Sequence, residues 1–183
     1  MGRDKGLVPL AGRPMIEHII EKVKGIGDEI IITTNDQEAY QYLGYRIASD
    51  DDPGAGALTG LHTALSAAES DTVFVTACDM PFLNKALIEH LISLASKADA
   101  VVPIVQDRFQ PLHAVYGREN CLKAIQSAIA KDEKRAISFY PSIEVLEIEG
   151  KEISKYGDVE RIFFNVNTPS DLEKAEAMIR EKE

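Results

Sequence analysis

Thr72-Val73-Phe74-Val75-Thr76-Ala77-Cys78-Asp79-Met80-Pro81-Phe82 decides how this chain is read. Val73 to Ala77 is short, apolar and rich in β-branched residues, the pattern of a strand buried on both faces of a parallel sheet. The run stops at a carboxylate. Pro81 has no N–H to give a ladder and restricts Met80 to extended geometry, so the strand does not continue. Asp79 is therefore expected at the carboxyl end of a central strand, where open α/β sheets bind ligands. A carboxylate so placed either holds a hydrated divalent cation against substrate phosphates or caps the turn by accepting from nearby amides. This stretch alone fits both.

Outward from it, strand and helix patterns alternate. On the amino-terminal side, Met15, Ile16, Ile19, Ile20 and Val23 recur at helical spacing, with Pro14 suited to the first helical position and Gly25 or Gly27 at the end. Ile30 to Thr34 reads as a buried strand, residues 37–43 as a short helix and Tyr45 to Ala48 as a brief strand. Leu58, Leu61, Leu65 and Ala68 form a helical stripe that leads into the Asp79 strand. Beyond it, Asn84 is a candidate N-cap for a helix carrying Leu87, Ile88, Leu91 and Ile92. Two strand patterns follow, Ala100 to Val105 and Leu112 to Tyr116, then a helix from Glu119 to about Ala130. Pro103 is expected where its missing donor is tolerated. Glu144 to Glu149 alternates polar and apolar, and Phe163 to Asn167 reads as a last extended segment. Thr168-Pro169-Ser170-Asp171 opens the C-terminal helix with a capping residue, a Pro and an acid. Such alternation predicts an α/β fold with a mainly parallel central sheet, in one domain over residues 1–183.

Bulk properties narrow the function. A net charge of -10 repels polyanions, so nucleic acid is not expected as a partner. No apolar run approaches the roughly 18 residues of a membrane span, and no apolar signal segment opens the chain, so a cytoplasmic location is expected. Cys78 and Cys121 lack metal-ligand spacing and read as buried thiols. His18, His62, His90 and His113 lie mostly within helical patterns beside no obvious nucleophile. A phosphorylated small molecule remains open as a ligand, provided a metal ion, a local Lys and backbone amides offset the acidic background. Asp4-Lys5 in a Gly-containing loop offers such a Lys. Asp50 to Gly56 places acids and two glycines ahead of a helix N-terminus, as either an anion-facing turn or an ordinary acidic one. Neither a Gly-x-Gly-x-x-Gly after a strand nor a Gly-Lys-Ser/Thr phosphate loop occurs.

Five short motifs stand in order: Met1-Gly2-Arg3-Asp4-Lys5, Leu10-Ala11-Gly12-Arg13-Pro14, Gly56-Ala57-Leu58-Thr59-Gly60-Leu61, Cys78-Asp79-Met80-Pro81 and Phe164-Asn165-Val166-Asn167-Thr168-Pro169. Together they resemble the molybdenum cofactor guanylyltransferases, within the larger nucleotidyltransferase group. That resemblance covers nearly the whole chain. It implies a three-layer, Rossmann-like nucleotidyltransferase fold with GTP at the carboxyl edge of the sheet. Lys5 would contact the phosphates, and Asp79 would hold Mg²⁺ against them. Thr33, Asp50 and the turn from Gly56 to Gly60 would lie around guanine and ribose, with Thr33 standing where the family often has Asn. Gln110, Arg135, Asn165 and Asn167 would face molybdopterin, with Gln110 in place of a usual His. Biosynthetic proteins of the molybdenum cofactor and acceptor molybdoenzymes are the implied protein partners.

The family begins with a strand and a Gly-rich loop directly before Met-Gly-x-Asp-Lys, whereas this sequence starts at Met1, after that loop. The first strand is normally central, so neighbouring backbone donors and acceptors are expected to be left unpaired. Rival readings are a sister enzyme using CTP, another nucleotidyltransferase acting on a phosphorylated metabolite, and a non-catalytic protein that binds nucleotide or pterin.

Overall fold

The computed structural model describes residues 4–49 and 56–181. A two-residue hairpin, β1 (Pro9–Leu10) and β2 (Arg13–Pro14), leads into α1 (Met15–Val23). Pro14 is the N-cap of α1 and pairs with Pro9, one residue earlier than the sequence suggested. Next come β3 (Ile31–Thr33), α2 (Gln37–Tyr40), β4 (Arg46–Ala48), α3 (Ala57–Ala67) and β5 (Thr72–Thr76). The second half runs through α4 (Lys85–Ser93), β6 (Ala100–Val105), β7 (Arg108–Phe109), β8 (His113–Gly117) and α5 (Arg118–Ile129). β9 (Val145–Glu149), the short α6 (Gly150–Ile153) and α7 (Val159–Ile162), and α8 (Pro169–Arg180) complete the chain. Phe163 to Asn167, expected as an extended segment, forms no strand and connects α7 to α8. α6 and α7, four residues each, were too short to show a helical period.

β5, β8 and β6 form one path, with β9 on the far side of β6 and β7 beside the end of β6. β6 and β9 are parallel, as are β3 and β4, while β8 runs against both β5 and β6. β5, β6 and β9 therefore share one direction, which keeps the sheet mainly parallel. β5 itself departs from expectation. Its one strand neighbour among the described residues is antiparallel β8, and its other edge is open, so Val73, Phe74 and Val75 are half-buried. Asp79 thus follows an edge strand of the five-stranded sheet, because nothing described pairs β5 to β3.

Pro103 sits in the most central strand without breaking it. Its carbonyl accepts from Gln110 N at 2.9 Å on the side where β8 has already diverged, and in a strand the N and C=O of a residue face the same way. The missing donor therefore points away from β9, whose ladder stays intact.

Alternate strand residues feed two helical layers. Val73, Val75, Ala100 and Val102 pack with Leu58, Leu61 and Leu65 of α3 and Ile125 of α5. Phe74, Val101 and Val115 pack on the opposite face with Ile19 of α1 and Leu87, Ile88 and Leu91 of α4. Three layers result. Thr168 caps α8, as its sequence suggested, by accepting from Asp171 N, and Asp171 accepts from Thr168 N in turn, a reciprocal capping box.

α3 starts at Gly56, whose φ of +107° is left-handed and whose absent Cβ would lie 2.9 Å from the Lys134 carbonyl. That carbonyl accepts from Leu58 N at 3.2 Å, tying the loop after α5 to the start of α3. Gly56→Ala is expected to cost about 1–3 kcal/mol through strained φ and displacement of Lys134, read as a lower midpoint in urea denaturation.

His113 is the buried polar residue of the core. Its ring lies between Phe74 and Phe163 with neither nitrogen hydrogen-bonded, and burial pulls its pKa from 6.5 to about 3. Below about pH 6.5 the unfolded chain takes up a proton that the folded one refuses. Stability then falls by about 1.4 kcal/mol per pH unit towards pH 3. His113→Leu is expected to remove about 2 kcal/mol of the loss between pH 6.5 and 5, measured as the wild-type minus variant difference in urea denaturation at the two values.

Candidate active site

Three segments far apart in sequence meet where β5 ends. Lys5 Nζ donates to Asp79 Oδ2 at 3.1 Å and to Asn167 Oδ1 at 2.6 Å. Val166 N donates to the Asp79 carbonyl at 2.9 Å, which fixes the 165–167 loop beside the carboxylate. Asp171, through the α8 capping box, also accepts from Asn167 N at 3.2 Å and sets the same loop from the other end. The Asp79 side chain is 15% exposed and that of Lys5 38%, so the acid is recessed and the ammonium stands at the mouth.

Lys5 is aimed by its own turn. Asp4 caps a single 3₁₀ turn, Lys5–Leu7, by accepting from Gly6 N at 3.0 Å. The same Oδ1 accepts from the Tyr40 hydroxyl at 2.6 Å. A Cβ on Gly6 would stand 2.5 Å from that hydroxyl, so only glycine lets the turn close onto Tyr40. Tyr40 is buried beside Ile16, Ile20 and Ile32, and burial with the Asp4 contact pushes its phenol well above the ordinary range. Sequence reading gave no signal for Tyr40, because its partner lies 36 residues away.

The other candidates divide. Thr33, exposed at the end of β3, and Gly60 of α3 line the same cleft as Asp4 and Cys78. Gly56 lies at the start of α3 beside Lys134, with Arg135 next along and exposed. Asn165 turns inward to donate to the Phe163 carbonyl at 2.9 Å. Gln110 donates to the Arg108 carbonyl at 3.3 Å and, like Arg135, makes no hydrogen bond to Lys5, Asp79 or Asn167. Asp50 lies outside the described residues. Both cysteines are free thiols, and burial pushes Cys78 up to about 11 and Cys121 up to about 12.

Asp79 Oδ1 has no hydrogen-bond partner among the described residues. One recessed carboxylate beside a Lys suits Mg²⁺, which keeps several waters and takes its remaining ligands from substrate phosphates. Among the described residues no group of three or more His, Cys, Asp or Glu could hold a metal ion, and no helix is long and apolar enough to cross a membrane.

Known proteins resemble this chain in sequence and in fold. A probable molybdenum cofactor guanylyltransferase of Pelotomaculum thermopropionicum is 35% identical over 97% of this chain and 86% of its own. The crystal structure of a molybdopterin-guanine dinucleotide biosynthesis protein A from Archaeoglobus fulgidus superposes with a TM-score of 0.83 at 27% identity, over 98% of this chain and 92% of its own. A 2-C-methyl-D-erythritol 4-phosphate cytidylyltransferase from Thermus thermophilus shares the fold, with a TM-score of 0.76 at 19% identity over 96% of this chain and 94% of its own. The MobA-like NTP transferase domain matches residues 1–143, and the chain belongs to that family.

Proposed function

We propose that this protein transfers GMP from GTP to the terminal phosphate of molybdopterin, releasing pyrophosphate, as a cytoplasmic enzyme supported by Mg²⁺. The observation that carries the reading is the Lys5–Asp79–Asn167 cluster at the carboxyl ends of the strands. A pterin phosphate oxygen forms a bond to the α-phosphorus in line. The bond from that phosphorus to the bridging oxygen breaks, and pyrophosphate leaves with the electron pair.

The candidate residues would divide the tasks in this scheme. Asp79 would hold Mg²⁺, which when bound supplies positive charge against the phosphates. Lys5, already fixed by two acceptors, would turn its remaining donor to a phosphate oxygen without reorganising. Thr33, Gly56 and Gly60 would border the guanine and ribose side, with Asp50 assigned there from the family pattern. Asn165, Asn167, Gln110 and Arg135 would take the pterin contacts, as the family pattern assigns them. Positioning of the two substrates would supply most of the acceleration. Biosynthetic proteins and acceptor molybdoenzymes would then take the product.

Pyrophosphate release with GTP, ATP, CTP and UTP in the presence of molybdopterin tests the reading. GTP is expected to exceed the others by at least tenfold, and a preference for CTP overturns the base assignment. Asp79→Ala is expected to lower turnover by roughly a hundredfold or more, with unchanged circular dichroism. Wild-type turnover in that variant removes Asp79 from the mechanism.

Asn167→Ala deletes one charge-assisted hydrogen bond and leaves the Asp79 contact of Lys5. A loss of about tenfold in kcat is expected, measured under saturating substrates.

A further inference from the structure

Two buried phenols join the segment that carries Gln110 to the segment that carries Arg135. Tyr116 of β8 and Tyr140 are both buried in the layer under α3 and α5. The Tyr116 hydroxyl donates to the Pro111 carbonyl at 2.8 Å, and the Tyr140 hydroxyl lies 2.9 Å from it. A phenol carries one proton. Tyr116 gives its own to Pro111, whose carbonyl can only accept, so Tyr140 is the donor of the second bond. The relay therefore runs one way, from Tyr140 through Tyr116 to the Gln110–Pro111 turn.

Both ends of the relay are held by backbone. At the turn, Gln110 N donates to the Pro103 carbonyl at 2.9 Å and His113 N to the Gln110 carbonyl at 3.0 Å. At the other end, Ser138 N donates to the Arg135 carbonyl at 3.0 Å and Tyr140 N to the Ile137 carbonyl at 3.2 Å. These tight turns lead back to Lys134, whose carbonyl accepts from Leu58 N at the start of α3. Residues 134–140 thus form a strut between the first turn of α3 and the Gln110–Pro111 turn.

Apolar packing alone would leave the register of strut and turn loose. Phe109 meets Tyr140 edge-on at 5.2 Å, and Phe139 packs on both phenols, contacts that tolerate sliding. Hydroxyls do not. A buried hydroxyl is costly unless paired, and this pair is satisfied only when the Pro111 carbonyl stands opposite Tyr116. Burial pushes both phenols well above their ordinary range, so they remain neutral donors at working pH.

We propose that Tyr116 and Tyr140 are positioning residues for a phosphorylated pterin, their hydroxyl relay holding the Gln110–Pro111 turn in register with Arg135. The inference rests on the assignment of Gln110 and Arg135 to the pterin under the proposed function.

Tyr116→Phe and Tyr140→Phe each delete one hydroxyl and keep the ring. Pyrophosphate release is followed with molybdopterin and GTP varied in turn. KM for molybdopterin is expected to rise about fivefold to tenfold in Tyr116→Phe and about threefold in Tyr140→Phe, with KM for GTP within about twofold of wild type. Ile153→Val, which trims the core on the opposite face of the sheet, is expected to move neither KM and so controls for general loss of stability. Amide hydrogen exchange in the free protein supplies a readout without substrate. Tyr116→Phe is expected to speed exchange at Gln110 and His113 by about tenfold. Equal rises in both KM values, an unchanged KM for molybdopterin, or unchanged exchange at Gln110 each overturn the proposal. A wild-type chain that releases no pyrophosphate with molybdopterin overturns the functional reading and the pterin assignment with it, and the exchange rates then decide whether the relay holds the turn.

Discussion

One ammonium shared between a carboxylate and an amide holds the carboxyl edge of this molecule together. Lys5 reaches Asp79 across 74 residues and Asn167 across 162, so it joins the first turn, the tip of β5 and the loop before α8. In a chain with a net charge of -10, a phosphate-bearing ligand meets repulsion over most of the surface. A local cation beside a recessed acid reverses that at one point. Coulomb attraction at a few ångströms outweighs a diffuse background that salt screens within about 8–10 Å. The site can therefore be small, and its precision depends on the elements that aim Lys5.

Those elements are unequal in kind. The 165–167 loop is set by backbone contacts, one from Val166 to Asp79 and another from Asn167 to the Asp171 cap. The Lys5 turn hangs from a side chain, the buried Tyr40 hydroxyl. Backbone anchoring survives most substitutions at the surface, whereas the Tyr40 anchor depends on β3 keeping its distance from the start of the chain. That distance is set by the packing of Tyr40 and Ile32 against Ile16 and Ile20 of α1.

Local signals in the sequence located most of the elements that carry the site. Thr168, Pro169 and Asp171 announced a capped helix start, and Asn84 announced an N-cap that accepts from Leu87 N. Each requires only neighbours along the chain. Asp79 was placed at a strand end by the proline two residues on, again a local constraint. The neighbours of β5 were not legible, because a buried apolar run looks alike beside parallel strands or an antiparallel one. Tyr40 was invisible for a related reason: nothing around it distinguishes an anchoring phenol from any core tyrosine. Family resemblance added Asn165 and Asn167 to the candidates, and Asn167 is found on Lys5. It also added Gln110 and Arg135, whose side chains project from turns that join no part of the Lys5 cluster.

Asp4 belongs to the cleft and to the site at once. It lines the gap between β3 and β5, caps the turn that carries Lys5, and takes the Tyr40 hydroxyl on the same oxygen that caps the turn. If β3 moves relative to β5, Tyr40 carries Asp4 with it while Asp79 stays with β5. The Lys5–Asp79 contact then lengthens or tilts. Packed interiors resist such shifts because their side chains interdigitate, and here Ile16 and Ile20 of α1 interdigitate with Ile32 of β3 and Tyr40 itself. The geometry of the proposed phosphate site therefore depends on how one carboxylate, Asp4, is held between the Tyr40 hydroxyl and the turn that carries Lys5.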